Sequence, residues 1–143
     1  MIKNLLFAIT LTVTINSFAG DTTNIQVHDH TDMTWNGNYD EWGVFPDGSK
    51  TYRKIYLHYT MGCASSGCSD WDYTTKIEVL HRTGQLDTSL NEIIESYELA
   101  RVITPYGNGL NNNWEFTHIF DITDFASILQ DSVEIRAHYG GWS

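Results

Sequence analysis

The ten residues Trp71-Asp72-Tyr73-Thr74-Thr75-Lys76-Ile77-Glu78-Val79-Leu80 decide the fold. Trp71, Tyr73, Thr75, Ile77 and Val79 occupy every second position, and Asp72, Thr74, Lys76 and Glu78 fill the gaps. A period of two places one set on each face of a β-strand, whereas a helix would scatter both sets around its axis. The stretch therefore predicts a strand with one buried face. Working toward the C-terminus, residues 82–92 form a polar excursion around Gly84, and Glu95–Thr104 reads as a strand. Pro105 ends it, because proline has no N–H to give a ladder. Gly107–Asn113 is a turn cluster of residues that tolerate positive φ. Trp114–Ile122 alternates again, and Ser132–Tyr139 does so with Val133, Ile135, Ala137 and Tyr139 inward. Between them, Thr123 or Asp124 is placed to cap a short helix carrying Phe125, Ile128 and Leu129 at i, i+3, i+4 spacing.

Working toward the N-terminus, Tyr52–Thr60 alternates with Ile55, Leu57 and Tyr59 on one face. Residues 31–50 are rich in Gly, Asn, Asp and Thr and read as a long loop or irregular hairpin set with Trp35, Trp42 and Phe45. Asn24–His28 reads as a short strand with Ile25 and Val27 on one face. Six or seven short strands separated by turn signals predict an all-β, antiparallel β-sandwich built as a single domain. The chain stops at Gly140-Gly141-Trp142-Ser143, directly after a strand, so the domain is expected to be truncated at its C-terminus.

Residues 1–19 read differently. Lys3 precedes an apolar stretch from Leu5 to Ile15, and Ser17-Phe18-Ala19 offers small residues at a cleavage site. This is the pattern of a signal peptide. The apolar run is too short for the ~20 residues of a membrane span. Residues 20–143 are then a secreted or periplasmic domain, expected as a monomer with no membrane partner. Eight Lys and Arg against 18 Asp and Glu give a net charge of −10. A nucleic-acid partner is not expected, since phosphate binding needs clustered basic residues. No phosphate loop and no nucleophile elbow occur, and no cofactor is expected.

The densest chemistry lies in Cys63-Ala64-Ser65-Ser66-Gly67-Cys68-Ser69-Asp70-Trp71-Asp72. In an exported protein, two cysteines five residues apart are expected to pair with each other, the alternative being a Cys-x4-Cys metal pair. The four residues between them are small enough to let the loop close. Asp72, held at a strand start by such a loop, is placed to activate a water or accept a proton; the plainer role is to cap a turn. Trp71 is either a core residue or a platform for a sugar ring. His28-x-His30 on a strand would turn two imidazoles to one face near Met33, a geometry suited to copper or zinc. A third histidine has no evident position, so no metal site is expected. His58, His81, His118 and His138 are scattered and read as packed or surface imidazoles.

Three blocks in order resemble the N-terminal domain of the peptide-N-glycosidase F family. They are Cys63-x4-Cys68-x-x-Trp71-Asp72, then Tyr97-Glu98-Leu99-Ala100-Arg101-Val102-Ile103-Thr104-Pro105-Tyr106, then Phe120-Asp121-Ile122-Thr123-Asp124-Phe125. The resemblance runs from about Tyr52 to Trp142. It implies a jelly-roll sandwich that is one half of a two-domain enzyme. Such an enzyme hydrolyses the amide between asparagine and the first N-acetylglucosamine of N-linked glycopeptides and glycoproteins. By position, Asp72 matches the principal catalytic carboxylate. Trp71 and Trp142 match tryptophans that bind the chitobiose, Cys63 and Cys68 match a disulfide, and Thr104-Pro105-Tyr106 matches a structural corner. Tyr73 stands where the family has an arginine, and Gly140 where it has a glutamate. A further glutamate belongs to the second domain, so residues 20–143 alone are expected to be inactive. Two other expectations stand beside the amidase. One is a non-catalytic glycan- or protein-binding jelly roll using Trp71, Trp142, Trp35 or Trp42. The other is a copper monooxygenase-like fold.

Overall fold

The computed structural model describes residues 20–33, 36–107 and 109–141. Six strands occur among them: β1 Gly37–Val44, β2 Tyr56–Gly62, β3 Thr74–Leu86, β4 Glu92–Ile103, β5 Glu115–Asp121 and β6 Ser132–Gly140. They form two antiparallel sheets, one ordered β1-β6-β3-β4 and the other β2-β5. The protein is thus an all-β sandwich.

Alternation explains which faces meet. Val133, Ile135, Ala137 and Tyr139 of β6 are all buried, and so are Thr75, Ile77 and Val79 of β3. Register joins them: Thr75 lies opposite Tyr139, Ile77 opposite Ala137, and Val79 opposite Ile135. Ala100 and Val102 of β4 continue the buried surface. From the second sheet come Leu57, Tyr59, Met61 and Phe120. Opposite Ile77 and Glu78 of β3 the register slips, leaving Leu99 of β4 as an extra residue. Leu99 packs against the core, so the bulge adds an apolar side chain that strict alternation would turn outward.

Four sequence expectations change. Residues 31–50 contain a full edge strand, β1, paired with β6 from Gly37–Tyr139 to Val44–Ser132. Its Glu41 shares the inner face with Ile135 but stays exposed, an inward charge of the kind that discourages pairing at an edge. Residues 82–92 are the end of a long β3–β4 hairpin, not an excursion from the sheet. Asn24–His28 is not a strand. It belongs to an extended arm whose Val27 and Met33 pack on the core. Gly43 permits this: a Cβ there would come within 2.9 Å of Val27 Cγ2 and 2.7 Å of Phe45 Cε2. The expected helix is only a 3₁₀ turn, Thr123–Phe125. Thr123 does not cap it. Its backbone N–H and hydroxyl donate to Asp121 and its Oγ1 accepts from the Ile55 N–H at 3.0 Å, tying the end of β5 to the entry of β2. Phe125, Ile128 and Leu129 still reach the core.

The outer face of the larger sheet is a set of charged rows. Arg136 donates two hydrogen bonds of 2.7 Å to the Asp40 carboxylate directly across the β1–β6 pair. The Arg136 hydrogen bond holds the Asp40 carboxyl below its ordinary value of 3.8. A carboxyl with a depressed folded pKa stabilises the fold above the unfolded value and loses that contribution as pH falls through the folded one. Asp40→Asn is therefore expected to lower the urea midpoint at pH 7, with the difference from the parent shrinking as pH drops below 3.8. A difference that stays constant from pH 7 to pH 3 would show that the pair contributes only by packing.

Candidate active site

The chain between β2 and β3 carries the cysteines, Trp71 and Asp72. Cys63 and Cys68 form a disulfide. The small loop between them turns on Gly67, whose φ of +114° is costly for any residue with a Cβ. The Gly67 N–H donates to the Ala64 carbonyl at 2.8 Å. Two contacts fasten this loop to the entry of β5: the Cys63 N–H donates to the Trp114 carbonyl at 3.0 Å, and Asn112 Nδ2 donates to the Ser65 carbonyl at 2.7 Å. In the chain-entropy description, closing so short a ring stabilises by ~2 kcal/mol. Its larger effect is to set the direction in which residue 69 leaves.

Residues 69–73 then run beside the corner 104–107. Ser69 forms a parallel bridge with Tyr106, and its carbonyl accepts from the Gly107 N–H at 2.8 Å. Ser69 Oγ accepts from the Trp71 N–H at 3.2 Å. At the other end the Thr104 N–H donates to the Tyr73 carbonyl at 2.8 Å, and the Tyr73 N–H donates to Thr104 Oγ1 at 3.0 Å. Thr104 is buried, so this clamp is shielded from water. The backbone of Trp71 and Asp72 is thus held on both sides while both side chains stay in solvent. Trp71 is 70% exposed, which excludes the core role open to it in the sequence. The buried face predicted for the strand begins at Tyr73, because β3 itself starts only at Thr74. Asp72 is exposed, and no side chain among the described residues bonds to its carboxylate.

Tyr73 turns inward instead. Its ring meets that of Tyr139 edge-on, with centroids 5.6 Å apart. Gly140 pairs with Thr74, so the end of β6 arrives two residues along from Asp72. A Cβ on Gly140 would approach the Thr74 carbonyl oxygen to 3.1 Å, and one on Gly141 would fall 2.3 Å from the Tyr139 ring. Gly141→Ala is accordingly expected to cost ~1–3 kcal/mol through the forced shift of a buried ring. A thermal melt checks this, and an unchanged midpoint would show that Tyr139 has room to move. Trp142 and Trp35 lie outside the described residues, as does the 1–19 segment.

An open cleft of about 2230 Å³ runs between the sheets and beside residues 20–33. Trp71, Asp72, Tyr73 and Glu115 all line it. The sequence did not single out Glu115, which lines the cleft, or Asn112, which braces the disulfide loop, since no local pattern marks a residue brought in from a distant segment. Thr104 was legible only as part of a corner. The two histidines are also placed apart from the one-face arrangement considered for them. His28 bonds through Nε2 to the Tyr39 carbonyl at 3.0 Å, His30 is exposed, and Met33 packs on the core. The arm is not a strand, so the argument that put both rings on one face lapses. Among the described residues, no group of three or more His, Cys, Asp or Glu could hold a metal ion. No helix among them is long and apolar enough to cross a membrane.

No protein-family model matches the chain, and searches of curated proteins and of solved structures return no match. Fold and site together define an antiparallel sandwich that presents an exposed tryptophan–aspartate pair from a disulfide-braced, doubly clamped loop.

Proposed function

We propose that this chain supplies one wall of the active site of an exported amidase acting on N-linked glycopeptides and glycoproteins. More narrowly, the reading is of a jelly-roll domain like the N-terminal domain of the peptide-N-glycosidase F family. The observation that carries it is the exposed Trp71–Asp72 pair on a backbone pinned from both flanks. Catalytic groups act only when held close to their working geometry, and a disulfide with a buried threonine clamp supplies that rigidity.

In this reading Trp71 lies against the apolar face of the first sugar. Asp72 takes a proton from the water that attacks the asparagine side-chain carbonyl. The water oxygen bonds to that carbon, the carbon–nitrogen bond breaks, and the nitrogen leaves with the sugar as a glycosylamine after protonation. The peptide keeps an aspartate. A group on a facing wall, from a second domain, completes the cleft, so residues 20–143 alone bind without turning over. Residues 1–19 direct export. No cofactor takes part.

One observation favours a second reading, a glycan-binding module without catalysis. Tyr73 is committed to Tyr139, and Gly140 has no side chain, so two positions where the family carries charge are neutral here. The test is incubation of the full-length protein with a denatured N-glycopeptide. Released glycan together with aspartate at the former asparagine supports the amidase. Saturable binding with no aspartate formed supports the module. Neither binding nor release overturns both.

A further inference from the structure

Trp42 plays no part in the Trp71–Asp72 site. It stands on the outer face of β1, 54% exposed, in register with Glu134 of β6, which is in turn opposite Leu80 of β3. Leu80 is also on the outer face, yet only 5% exposed. Apolar burial on the solvent side of a sheet requires cover, and here it marks the floor of a depression. That depression has a volume of about 280 Å³, and its lining includes Trp42, Arg82, Ser127, Gln130, Ser132 and Glu134. It lies at the middle of β3, away from Asp72: eight residues of extended chain separate Leu80 from Asp72, a span of up to ~27 Å.

The polar groups are held in place. Arg82 donates to Glu134 Oε2 at 2.7 Å and to Glu92 Oε2 at 2.9 Å, and its guanidinium lies 5.8 Å from the Trp42 ring centroid. Gln130 Nε2 reaches the Ala126 carbonyl at 3.4 Å. An aromatic face, a ring of hydroxyl, amide and carboxylate groups, and a volume just under the ~300–1,000 Å³ of drug-sized pockets suit one ligand class. We propose that this depression binds a single neutral pyranose unit, with the sugar against the part of the Trp42 ring that Arg82 does not overlie and its hydroxyls bonded to Gln130, Ser132 and Glu134. An anionic ligand is disfavoured. The one cation lining the depression is already flanked by two carboxylates, and the whole chain carries −10.

The inference does not depend on amide hydrolysis; only the choice of sugars follows from the glycan reading. The full-length protein is titrated separately with methyl α-mannopyranoside and N-acetylglucosamine, following the Trp42 indole N–H in the ¹H–¹⁵N spectrum. A saturable shift with a dissociation constant on the order of 1 mM is expected for at least one of them. Trp42→Ala and Gln130→Ala, both on the surface, should each weaken binding at this site about tenfold or more, read from neighbouring backbone resonances. Trp71→Ala should leave the Trp42 shift intact, which separates this site from the cleft. A Trp42 resonance unmoved by either sugar overturns the proposal, and so does unchanged binding in both Trp42→Ala and Gln130→Ala. Asp72→Asn without effect on glycan release would count against the amidase and leave this site untouched.

Discussion

Asp72→Asn in the full-length protein is expected to reduce release of glycan from a denatured N-glycopeptide by about 10²–10⁴-fold, the range set by losing one positioned acid–base group. The substitution keeps the size of the side chain and removes its charge and basicity. No side chain among the described residues bonds to the Asp72 carboxylate, so none of them loses a partner. The melting midpoint should therefore stay where it is while turnover falls. This split is the informative part. A residue that merely capped the turn would show the reverse, a shifted midpoint with turnover intact. Equal release by parent and variant would remove Asp72 from the chemistry. Thr104→Ala should act through position instead. It removes the hydroxyl that accepts from the Tyr73 N–H, so both midpoint and turnover should fall together.

Ile135→Ala is expected to have the largest effect on stability. Ile135 is 4% exposed and sits on β6, which is hydrogen-bonded to β1 on one side and β3 on the other. Its inner-face neighbour across the ladder is Val79, at 1% exposure. Truncating a buried isoleucine removes its transfer free energy and leaves a cavity, ~2–5 kcal/mol together. That is a large part of the ~5–15 kcal/mol that holds a domain folded. The control is Ile119→Ala on the outer face of β5, where the side chain is 61% exposed and the expected change is within ~0.5 kcal/mol. Urea midpoints at constant slope measure both. Similar losses at the two positions would mean that the outer face of the β2–β5 sheet is covered by something in solution, and that the buried layer is not where the two sheets place it.

Much of the fold was legible because period-two alternation survives only where one face is buried. It correctly turned Val133, Ile135, Ala137 and Tyr139 inward, along with Thr75, Ile77 and Val79. It failed where the reason for being a strand is distant. Gly37–Val44 is polar and glycine-rich, and it is a strand because β6, about a hundred residues later, offers it a ladder and an Arg136 partner for Asp40. It failed in the other direction at Asn24–His28, which alternates well but runs as an arm outside both sheets. The site divides in the same way. Cys63–Cys68 could be read from spacing and the expectation of export, and the structure contains that disulfide. The Trp71-Asp72 dipeptide could be quoted from the chain, but not its two clamps, since those depend on Thr104, Tyr106 and Gly107 arriving from the corner after β4.

By itself the sequence determined the class of fold, the inward faces of β3 and β6, and the residues able to do chemistry between Cys63 and Asp72. Those are properties of neighbours along the chain: side-chain periodicity, turn chemistry and thiol spacing. Tertiary structure alone decided that Trp71 faces solvent while Tyr73 packs on Tyr139, and that Leu80 is covered on the outer side of its sheet. The physical reason is that burial is set by what lies across a sheet or between two layers. A strand carries the pattern of its own faces but no record of which segments will cover them.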